Sequence, residues 1–219
     1  MRSPRFHVPD LRAMPLVLEG DPMRHAVHSL RLRTGSDLTL FDGQGSEAPA
    51  RISEVDKRHA GIVLTGEPQY IDRRPPRDLG VILAFPKARS RDLIVEKLVE
   101  LGVRRIRPLL TTRSAGAPAL DRLRAQALAA CQQSGINTLP DILPPLRVED
   151  LGDDPTLVVL EPTGTESPPE GQPLTLLVGP EGGFDPGELT RLTCRRWSLG
   201  RRILRVETAC LAAVSRLLI

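Results

Sequence analysis

The sequence predicts a two-domain α+β chain, in which a small, mostly antiparallel β-domain precedes an α/β domain with a parallel sheet. Residues 1–70 contain short runs of alternating apolar and polar residues, as expected for half-buried strands. Residues 67–78 interrupt this pattern with prolines and arginines, and from residue 79 onward apolar strands alternate with helices. We therefore place the two domains at residues 1–72 and 73–219.

Three alternating runs and one helix define the first domain. The runs are DLTLFDG (37–43), PARISEV (49–55) and AGIVLTG (60–66). The apolar side chains expected to share one face are Leu38, Leu40, Ile62 and Leu64. The predicted helix has Asp21 as its N-cap and Pro22 as its first residue, and it runs to about Arg33.

Strands and helices alternate through the second domain. Continuous apolar strands are predicted at 79–85, 103–110, 156–160 and 174–178. Helices are predicted at 90–102, around 119–134 and at 208–218. The residues of the first helix expected to face mostly inward are Leu93, Val95, Leu98, Val99 and Leu101, and Gly102 is expected to end that helix. Such continuous strands imply a parallel sheet with both faces covered.

Composition is that of a globular protein, with 40% hydrophobic and 26% charged residues. No apolar run approaches the roughly 20 residues of a membrane span, and residues 1–5 lack the apolar core of a signal peptide. The three cysteines are too few and too widely spaced to suggest a disulfide framework or a zinc site. We therefore expect a cytoplasmic protein with no membrane contact and no metal.

Arginine dominates the basic residues: all but three of the 30 are arginine, although the net charge is only +3. A GC-rich coding sequence would produce this bias. Recognition of phosphates and bases would favour it too, because the planar guanidinium suits both. Total charge does not decide between these explanations.

Three segments place glycine, proline or a carboxylate where a predicted strand ends. They are LVVLEPTGT (157–165), LLVGPEGG (176–183) and SLGRRILRVETACLAAV (198–214). Ligands of open parallel sheets bind beyond the carboxyl ends of the strands. The GPEGG loop precedes a helix with Asp185 as N-cap and Pro186 in the first turn, but it lacks the lysine of a P-loop. By itself the loop is either a tight turn or a backbone-lined ligand site.

The combination of GPEGGF (179–184) with LGRRILRVETA (199–209) resembles the bacterial methyltransferase E family, which methylates N3 of a uridine in small-subunit ribosomal RNA and belongs to the SPOUT superfamily. The resemblance extends through LRLRTGSDLTLFDG (30–43), EKLVELGV (96–103), IRPLLTTRS (106–114) and AACQQSG (129–135). It implies a PUA-like, RNA-binding β-barrel over 1–72. It also implies a SPOUT α/β domain over 73–219, whose C-terminal segment forms a trefoil knot. A homodimer built through that domain, including the helix at 208–218, is expected as well.

The cofactor that the resemblance implies is S-adenosylmethionine. Its sulfonium is cationic and it carries no phosphate, so a glycine loop with a carboxylate and no lysine is compatible with it. The cofactor-binding residues carried over from the family are Leu160, Glu161, Pro162, Gly179, Pro180, Glu181, Gly182, Leu199, Gly200, Ile203 and Leu204. Glu181 is expected either to interact electrostatically with the cofactor or to hydrogen-bond within its own loop.

Three residues next to the third loop are the catalytic candidates. Positive charge near O2 and O4 of uracil would stabilise the imide charge that develops when N3 reacts. Arg202 and Arg205 are the candidates for this donor and for a clamp on the base. Glu207 would accept the N3 proton or orient Arg205; alternatively, it is only a favourable carboxylate in the first turn of a helix.

The predicted RNA-binding residues are Arg5, Arg24, Arg31, Arg33, Lys87, Arg89, Arg91 and Arg113. The three residues at 87–91 would track the phosphate backbone or simply form a solvated helix start. His25 and His28 have no third ligand at suitable spacing, so a surface that faces RNA is favoured over a metal site. The expected partner is ribosomal RNA, within the assembled small subunit.

Two positions differ from the family pattern. The family commonly has arginine after QSG, whereas this chain has Ile136, Asn137 and Thr138 there, and Arg201 stands where the family usually has proline. The alternative function is a noncatalytic RNA- or ribosome-binding protein that keeps the fold. The intact GPEGG and RxLRxETA segments favour catalysis, because a pure binder has no use for a cofactor loop.

Overall fold

The computed structural model describes residues 3–86, 88–114 and 116–219, except for the side chains of residues 88 and 89. The chain divides into two compact units. The first contains residues up to Arg73 together with Cys131–Leu139, and the second contains Arg74–Ala130 and Pro140–Ile219. Residues 131–139 thus join the first unit, whereas the sequence predicts two continuous domains at 1–72 and 73–219.

A largely antiparallel sheet forms the first unit. Its strands are β1 (Arg5–His7), β2 (Leu16–Glu19), β3 (Asp37–Phe41), β4 (Ser46–Val55), β5 (His59–Leu64) and β6 (Gln69–Tyr70). They are arranged in the order β1-β3-β4-β5-β2, with β6 also paired to β4, and only the β1–β3 pair is parallel. Leu38, Leu40 and Ile62 lie in its buried core with Leu64 packed against them, which confirms the shared face.

The predicted helix of this unit starts earlier and ends sooner than expected. Helix α1 spans Gly20–Arg24 and continues as a π-helical turn over His25–Ser29, so the prediction of a helix reaching Arg33 is wrong. Asp21 is not the N-cap: it lies in the first turn, where its carboxylate accepts a hydrogen bond from Arg24. The helix is retained because Met23 and Ala26 are buried in the core.

Residues 131–139 complete the first unit through backbone contacts. The Leu139 N–H donates to Gly43 O at 2.8 Å, and the Gly45 N–H donates to Asn137 O at 3.0 Å. Gly43 has φ 74°, and a Cβ atom on it would lie 2.8 Å from a methyl carbon of Leu139. A glycine is therefore required where residues 131–139, which we call the returning segment, meet the β3–β4 turn.

A parallel sheet forms the second unit, as the continuous apolar runs predicted. Its strands are β7 (Leu79–Leu83), β8 (Arg105–Leu110), β9 (Asp141–Ile142), β10 (Leu146–Arg147), β11 (Leu157–Leu160), β12 (Leu174–Val178) and β13 (Arg195–Trp197). Its helices are α2 (Ala88–Glu100), α3 (Leu120–Ser134), whose last four residues belong to the first unit, α4 (Pro186–Arg191) and α5 (Val206–Leu218). The strand order is β10-β8-β7-β12-β11-β13, with β9 beside β8, and every pair is parallel.

Both faces of this sheet are buried at its central strands. Ile82, Val159 and Leu177 belong to a core cluster on one face, while the alternate residues of the same strands, such as Val81 and Val158, are equally inaccessible on the other. Helix α5 packs against α2 and against β12. The central strands β7, β11 and β12 are therefore covered on both faces, whereas the outer strands β9, β10 and β13 each include an exposed residue.

Helix α2 ends just before Gly102, the residue that is expected to end it. The Gly102 N–H donates to Val99 O at 2.9 Å and the Val103 N–H to Leu98 O at 3.0 Å, with Gly102 at φ 85°. This is the Schellman arrangement, which satisfies the last carbonyls of a helix. Of the residues expected to face mostly inward, Val95, Leu98 and Val99 are buried, whereas the expectation is wrong for Leu93, which is 45% exposed.

Candidate active site

The three loops rich in glycine, proline or carboxylates begin at the carboxyl ends of adjacent strands. Strand β11 lies between β12 and β13, and Leu160 at its end is aligned with Val178 and with Trp197. Because all three strands are parallel, the loops that follow them start side by side. The Glu161 N–H donates to Trp197 O at 3.0 Å and so joins two of the loops directly.

A cavity of about 350 Å³ lies between these loops, which is within the range of small-molecule sites. All eleven predicted cofactor-binding residues line it. The remaining lining residues are Val178, Gly183, Phe184, Leu189, Trp197, Ser198, Arg202, Val206 and Ala209. A formed pocket therefore lies at the carboxyl ends of these strands, as the loop pattern predicts.

Several further apolar residues of this pocket, among them Trp197, Val206 and Ala209, were missed by sequence reasoning. Trp197 is 5% exposed, and the guanidinium carbon of Arg216 lies 5.4 Å from the centre of its ring. Val206 and Ala209 come from the first turn of α5. The only signal for Trp197 was its place at the end of a three-residue strand, which is too short to show periodicity.

The GPEGG loop is tightly constrained. A Cβ atom on Gly179 would lie 2.7 Å from the ring of Phe184, and Gly183 adopts φ 68° while its N–H donates to Pro180 O at 2.9 Å. Asp185 caps α4 by accepting from the Gly187 N–H at 2.9 Å, which confirms the predicted helix start. Loop and helix thus form one preorganised segment.

Of the three catalytic candidates, only Arg202 lines the cavity. Its side chain is exposed. Arg205 is the N-cap residue of α5 and is also exposed. Glu207 lies in the first turn of α5, partly buried, and accepts a hydrogen bond from the Ser90 hydroxyl at 3.3 Å. The roles of Arg205 and Glu207 stay predictions.

Glu181 projects from the GPEGG loop. It is exposed and lines the cavity. Within the described residues its carboxylate has neither a hydrogen-bond nor an ion-pair partner, so no bond within its own loop occupies it. It is available to a ligand in the cavity.

Comparison with known protein families identifies both parts of the chain. An RNA methyltransferase domain model matches residues 73–218, and an RNA methyltransferase PUA domain model matches residues 18–65. The ribosomal RNA small subunit methyltransferase E of Synechocystis is 30% identical over 207 residues, which cover 86% of this chain and 67% of that protein. This chain belongs to the methyltransferase E family.

Solved structures agree with this membership. A Legionella pneumophila protein in complex with S-adenosylmethionine matches with a TM-score of 0.91 at 27% identity, over 99% of this chain and 97% of that one. The ribosomal RNA small subunit methyltransferase E of Neisseria gonorrhoeae, bound to S-adenosylmethionine, matches with a TM-score of 0.86 at 27% identity, over 98% and 96% of the two chains. This family member thus combines a PUA domain with a SPOUT-like methyltransferase domain.

In the PUA unit of this family member, the four predicted RNA contacts differ in exposure. Arg24, Arg31 and Arg33 are exposed, and Arg31 adopts the left-handed backbone conformation with φ 57°. Arg24 is paired with Asp21. The Arg5 side chain is only 10% exposed and forms an ion pair with Glu47 at 2.9 Å. Its guanidinium is thus largely buried within this unit, where it pairs with Glu47. A role of Arg5 in RNA binding stays an untested prediction.

The predicted contacts of the methyltransferase unit are also uneven. Lys87 and the Arg89 side chain lie outside the described residues. The Arg91 side chain is 15% exposed, with its Nε 3.6 Å from a carboxylate oxygen of Asp92. Arg113 is 46% exposed and donates to the Gly182 carbonyl of the cavity wall at 2.7 Å.

No metal-binding group of three His, Cys, Asp or Glu side chains occurs in the part of the chain that the structure describes. His25 packs its ring 6.1 Å from that of Phe6. The three cysteines are free, and burial raises the pKa of Cys131 and of Cys210 to about 12. Across the described ranges, none of the helices has the length and apolarity that crossing a membrane requires.

A second cavity, of about 430 Å³, lies at the opposite ends of β11 and β13. It is lined by residues 151–155 and 191–195 together with Leu157. None of the predicted site residues reaches it. Its larger volume does not make it the better candidate, because ligands of parallel sheets bind at the carboxyl ends of the strands.

Proposed function

We propose that this chain transfers a methyl group from S-adenosylmethionine to N3 of one uridine in small-subunit (16S) ribosomal RNA. The observation that carries the proposal is the 350 Å³ cavity, which all eleven residues expected from the family line together. The similar proteins from Legionella pneumophila and Neisseria gonorrhoeae hold S-adenosylmethionine, which supports the choice of cofactor.

The residues around the cavity fit this cofactor. When bound, S-adenosylmethionine supplies a methyl group on a cationic sulfur. The exposed carboxylate of Glu181 is electrostatically compatible with that charge, whereas it would repel a phosphate. Trp197, Val206 and Ala209 provide apolar surface, and the backbone of the glycine loop provides hydrogen-bonding groups for polar edges.

Arg202 is the best-placed group for the reaction itself. It lies at the cavity and is exposed, so its guanidinium can donate to O2 or O4 of a uracil whose N3 releases its proton to water as the methyl group is transferred. We assign Arg205 to holding the base from the start of α5. Glu207 accepts from Ser90 and does not line the cavity, which suits a positioning role better than that of proton acceptor.

The two units divide the work in this proposal. The first is a PUA-like barrel whose exposed Arg24, Arg31 and Arg33 bind RNA phosphates. The second performs the transfer, carries a trefoil knot in its C-terminal segment, and forms a homodimer through α5 and neighbouring elements. The substrate is RNA in the small ribosomal subunit, with the target uridine unpaired, because pairing occupies N3.

The decisive experiment is methylation of small subunits isolated from a strain that lacks this gene. Mass spectrometry of nuclease fragments should show one added methyl group on one uridine, and its chromatographic behaviour should match 3-methyluridine. A chelator should leave both activity and S-adenosylmethionine affinity unchanged. RNA binding without any methylated product would instead support the noncatalytic alternative.

Dimer formation is tested separately by sedimentation velocity. We expect a dimer whose dissociation depends on concentration. A monomer at every concentration would contradict the proposed assembly without contradicting the chemistry.

A further inference from the structure

The loop at residues 111–114, which follows β8, contacts both the GPEGG loop and helix α4, which follows that loop. It belongs to none of the three loops that form the cavity, and none of its residues lines the cavity. It is itself well ordered by hydrogen bonds: the Ser114 hydroxyl accepts from the Thr111 N–H and donates to the Thr111 carbonyl, both at 3.0 Å. A loop built in this way can act as a fixed support.

The first contact fixes one peptide group of the cavity wall. Arg113 Nη1 donates to the Gly182 carbonyl at 2.7 Å, while the N–H of the same peptide, on Gly183, donates to Pro180 O at 2.9 Å. Both polar ends of the Gly182–Gly183 peptide are thereby held. A glycine pair is otherwise the most mobile part of a loop, so this restraint matters for a ligand that the loop must bind.

The second contact is made by one carboxylate. Glu188 Oε2 accepts from the Asp185 N–H at 2.8 Å, which completes the capping box of α4. Glu188 Oε1 accepts from the N–H and the hydroxyl of Thr112 at 2.7 and 3.1 Å. The helix that follows the GPEGG loop is therefore tied to the same support.

An ion pair with Asp185 accompanies the hydrogen bond from Arg113 to Gly182. Arg113 Nη2 lies 3.8 Å from a carboxylate oxygen of Asp185, so the guanidinium spans from Gly182 to the N-cap of α4. The Arg113 Cδ atom would also lie 3.4 Å from a Cβ on Gly182, which places the side chain along the loop backbone. A guanidinium can make these contacts together because its donors form a planar fork.

We propose that Arg113 is a positioning residue for the cofactor loop, which it holds in binding geometry before RNA arrives. The inference rests on the proposed function, since it takes S-adenosylmethionine to be the ligand of the cavity. It differs from the expectation that Arg113 contacts RNA. The two roles are separable, because only the positioning role affects cofactor affinity when no RNA is present.

The test is calorimetric titration of S-adenosylmethionine into the full-length protein without RNA. Loss of a hydrogen bond from a charged donor should weaken binding about tenfold in R113A. R113K should lose about threefold, because an ammonium can donate to the carbonyl but cannot form the fork. The matched control is R124A: Arg124 is an exposed arginine of α3 that pairs with Asp121 of the same helix, and its loss should leave affinity unchanged.

Steady-state kinetics provide the second readout. The KM for S-adenosylmethionine should rise in R113A by a factor similar to the dissociation constant, with the KM for RNA little changed. A folded R113A that binds the cofactor with wild-type affinity would overturn the inference, and a raised KM for RNA alone would then support the RNA contact. If R113A does not fold, wild-type affinity in R113K overturns it equally. Absence of cofactor binding by the wild-type protein would instead refute the proposed function.

Discussion

The Nδ2 atom of Asn137 donates a hydrogen bond to the Gly45 carbonyl oxygen at 3.0 Å, in the interior of the first unit. Asn137 is 1% exposed. A second contact, at 3.4 Å, joins the same Nδ2 to Glu47. This asparagine therefore fastens the returning segment to the turn between β3 and β4.

Replacing Asn137 by alanine should lower the free energy of unfolding by about 1–3 kcal/mol, because buried polar partners lose their donor. Urea denaturation followed by circular dichroism measures the change. Q44A is the control, since Gln44 is exposed in the same turn and its loss should change stability by less than about 0.5 kcal/mol. Equal stability of the two variants would contradict the fastening role.

Glu47 should make stability depend on pH in the acidic range. The Arg73 hydrogen bond, followed by interactions with Arg5, outweighs burial and holds the pKa of Glu47 below its ordinary value of 4.5. A depressed carboxyl pKa in the folded state stabilises the protein fully above the unfolded pKa, and this stabilisation is lost as pH falls through the folded pKa.

The variant E47Q should therefore be less stable than wild type by about 2 kcal/mol near pH 7, with the difference shrinking below about pH 4.5. Urea unfolding between pH 3 and 7 measures this. E67Q, at an exposed glutamate, is the control and should follow the wild-type curve. A difference between E47Q and wild type that stays constant down to pH 3 would show that Glu47 contributes nothing through its charge.

Arg202→Ala should reduce kcat about 100-fold, the loss typical of removing one preorganised donor from a developing negative charge. Cofactor affinity should change much less, because the side chain is proposed to face the base. Single-turnover methylation of small subunits measures the effect. The neighbouring R201A serves as control, since Arg201 is exposed and does not line the cavity. Similar rates for both variants would remove Arg202 from the catalytic candidates.

Gly183→Ala should weaken S-adenosylmethionine binding through the backbone alone. Gly183 has φ 68°, and no atom lies within 4 Å of the position of an added Cβ, so only conformational strain opposes the substitution. The alanine variant escapes this strain by relaxing in the free protein, and binding must restore it at a cost of about 1–2 kcal/mol, equivalent to roughly five- to thirtyfold in the dissociation constant. G152A, at an open glycine without positive φ, should bind normally. Wild-type affinity in G183A would contradict this expectation and show that the free loop keeps its binding geometry despite the substitution.

Local signals predicted the second unit well. Gly102 and Asp185 lie at helix ends because their own chemistry satisfies the terminal backbone groups, and that chemistry is visible in a single sequence. The apolar strands were equally visible, since burial on both faces removes polar residues from them. The strand-end loops followed from these strands, and their residues line one cavity.

Long-range contacts were not predictable in the same way. The burial of Asn137 depends on neighbours far away in sequence, and two- or three-residue strands such as β6 and β13 carry no periodicity. The arginine that the family commonly has after QSG is absent here, and Ile136 and Asn137 are buried instead. In this chain the segment after QSG is thus part of a core.

Residues 74–130 stand between the two pieces of the first unit, and this has a consequence for folding during synthesis. All six strands of that unit have been synthesised by Tyr70, yet Asn137 and Leu139 are added only after strands β7 and β8 and most of α3 have been made. At 5–20 residues per second, the nascent chain waits several seconds for its closing segment. The N-terminal unit therefore cannot finish folding as an independent early product, and its completion is timed by translation of the catalytic unit.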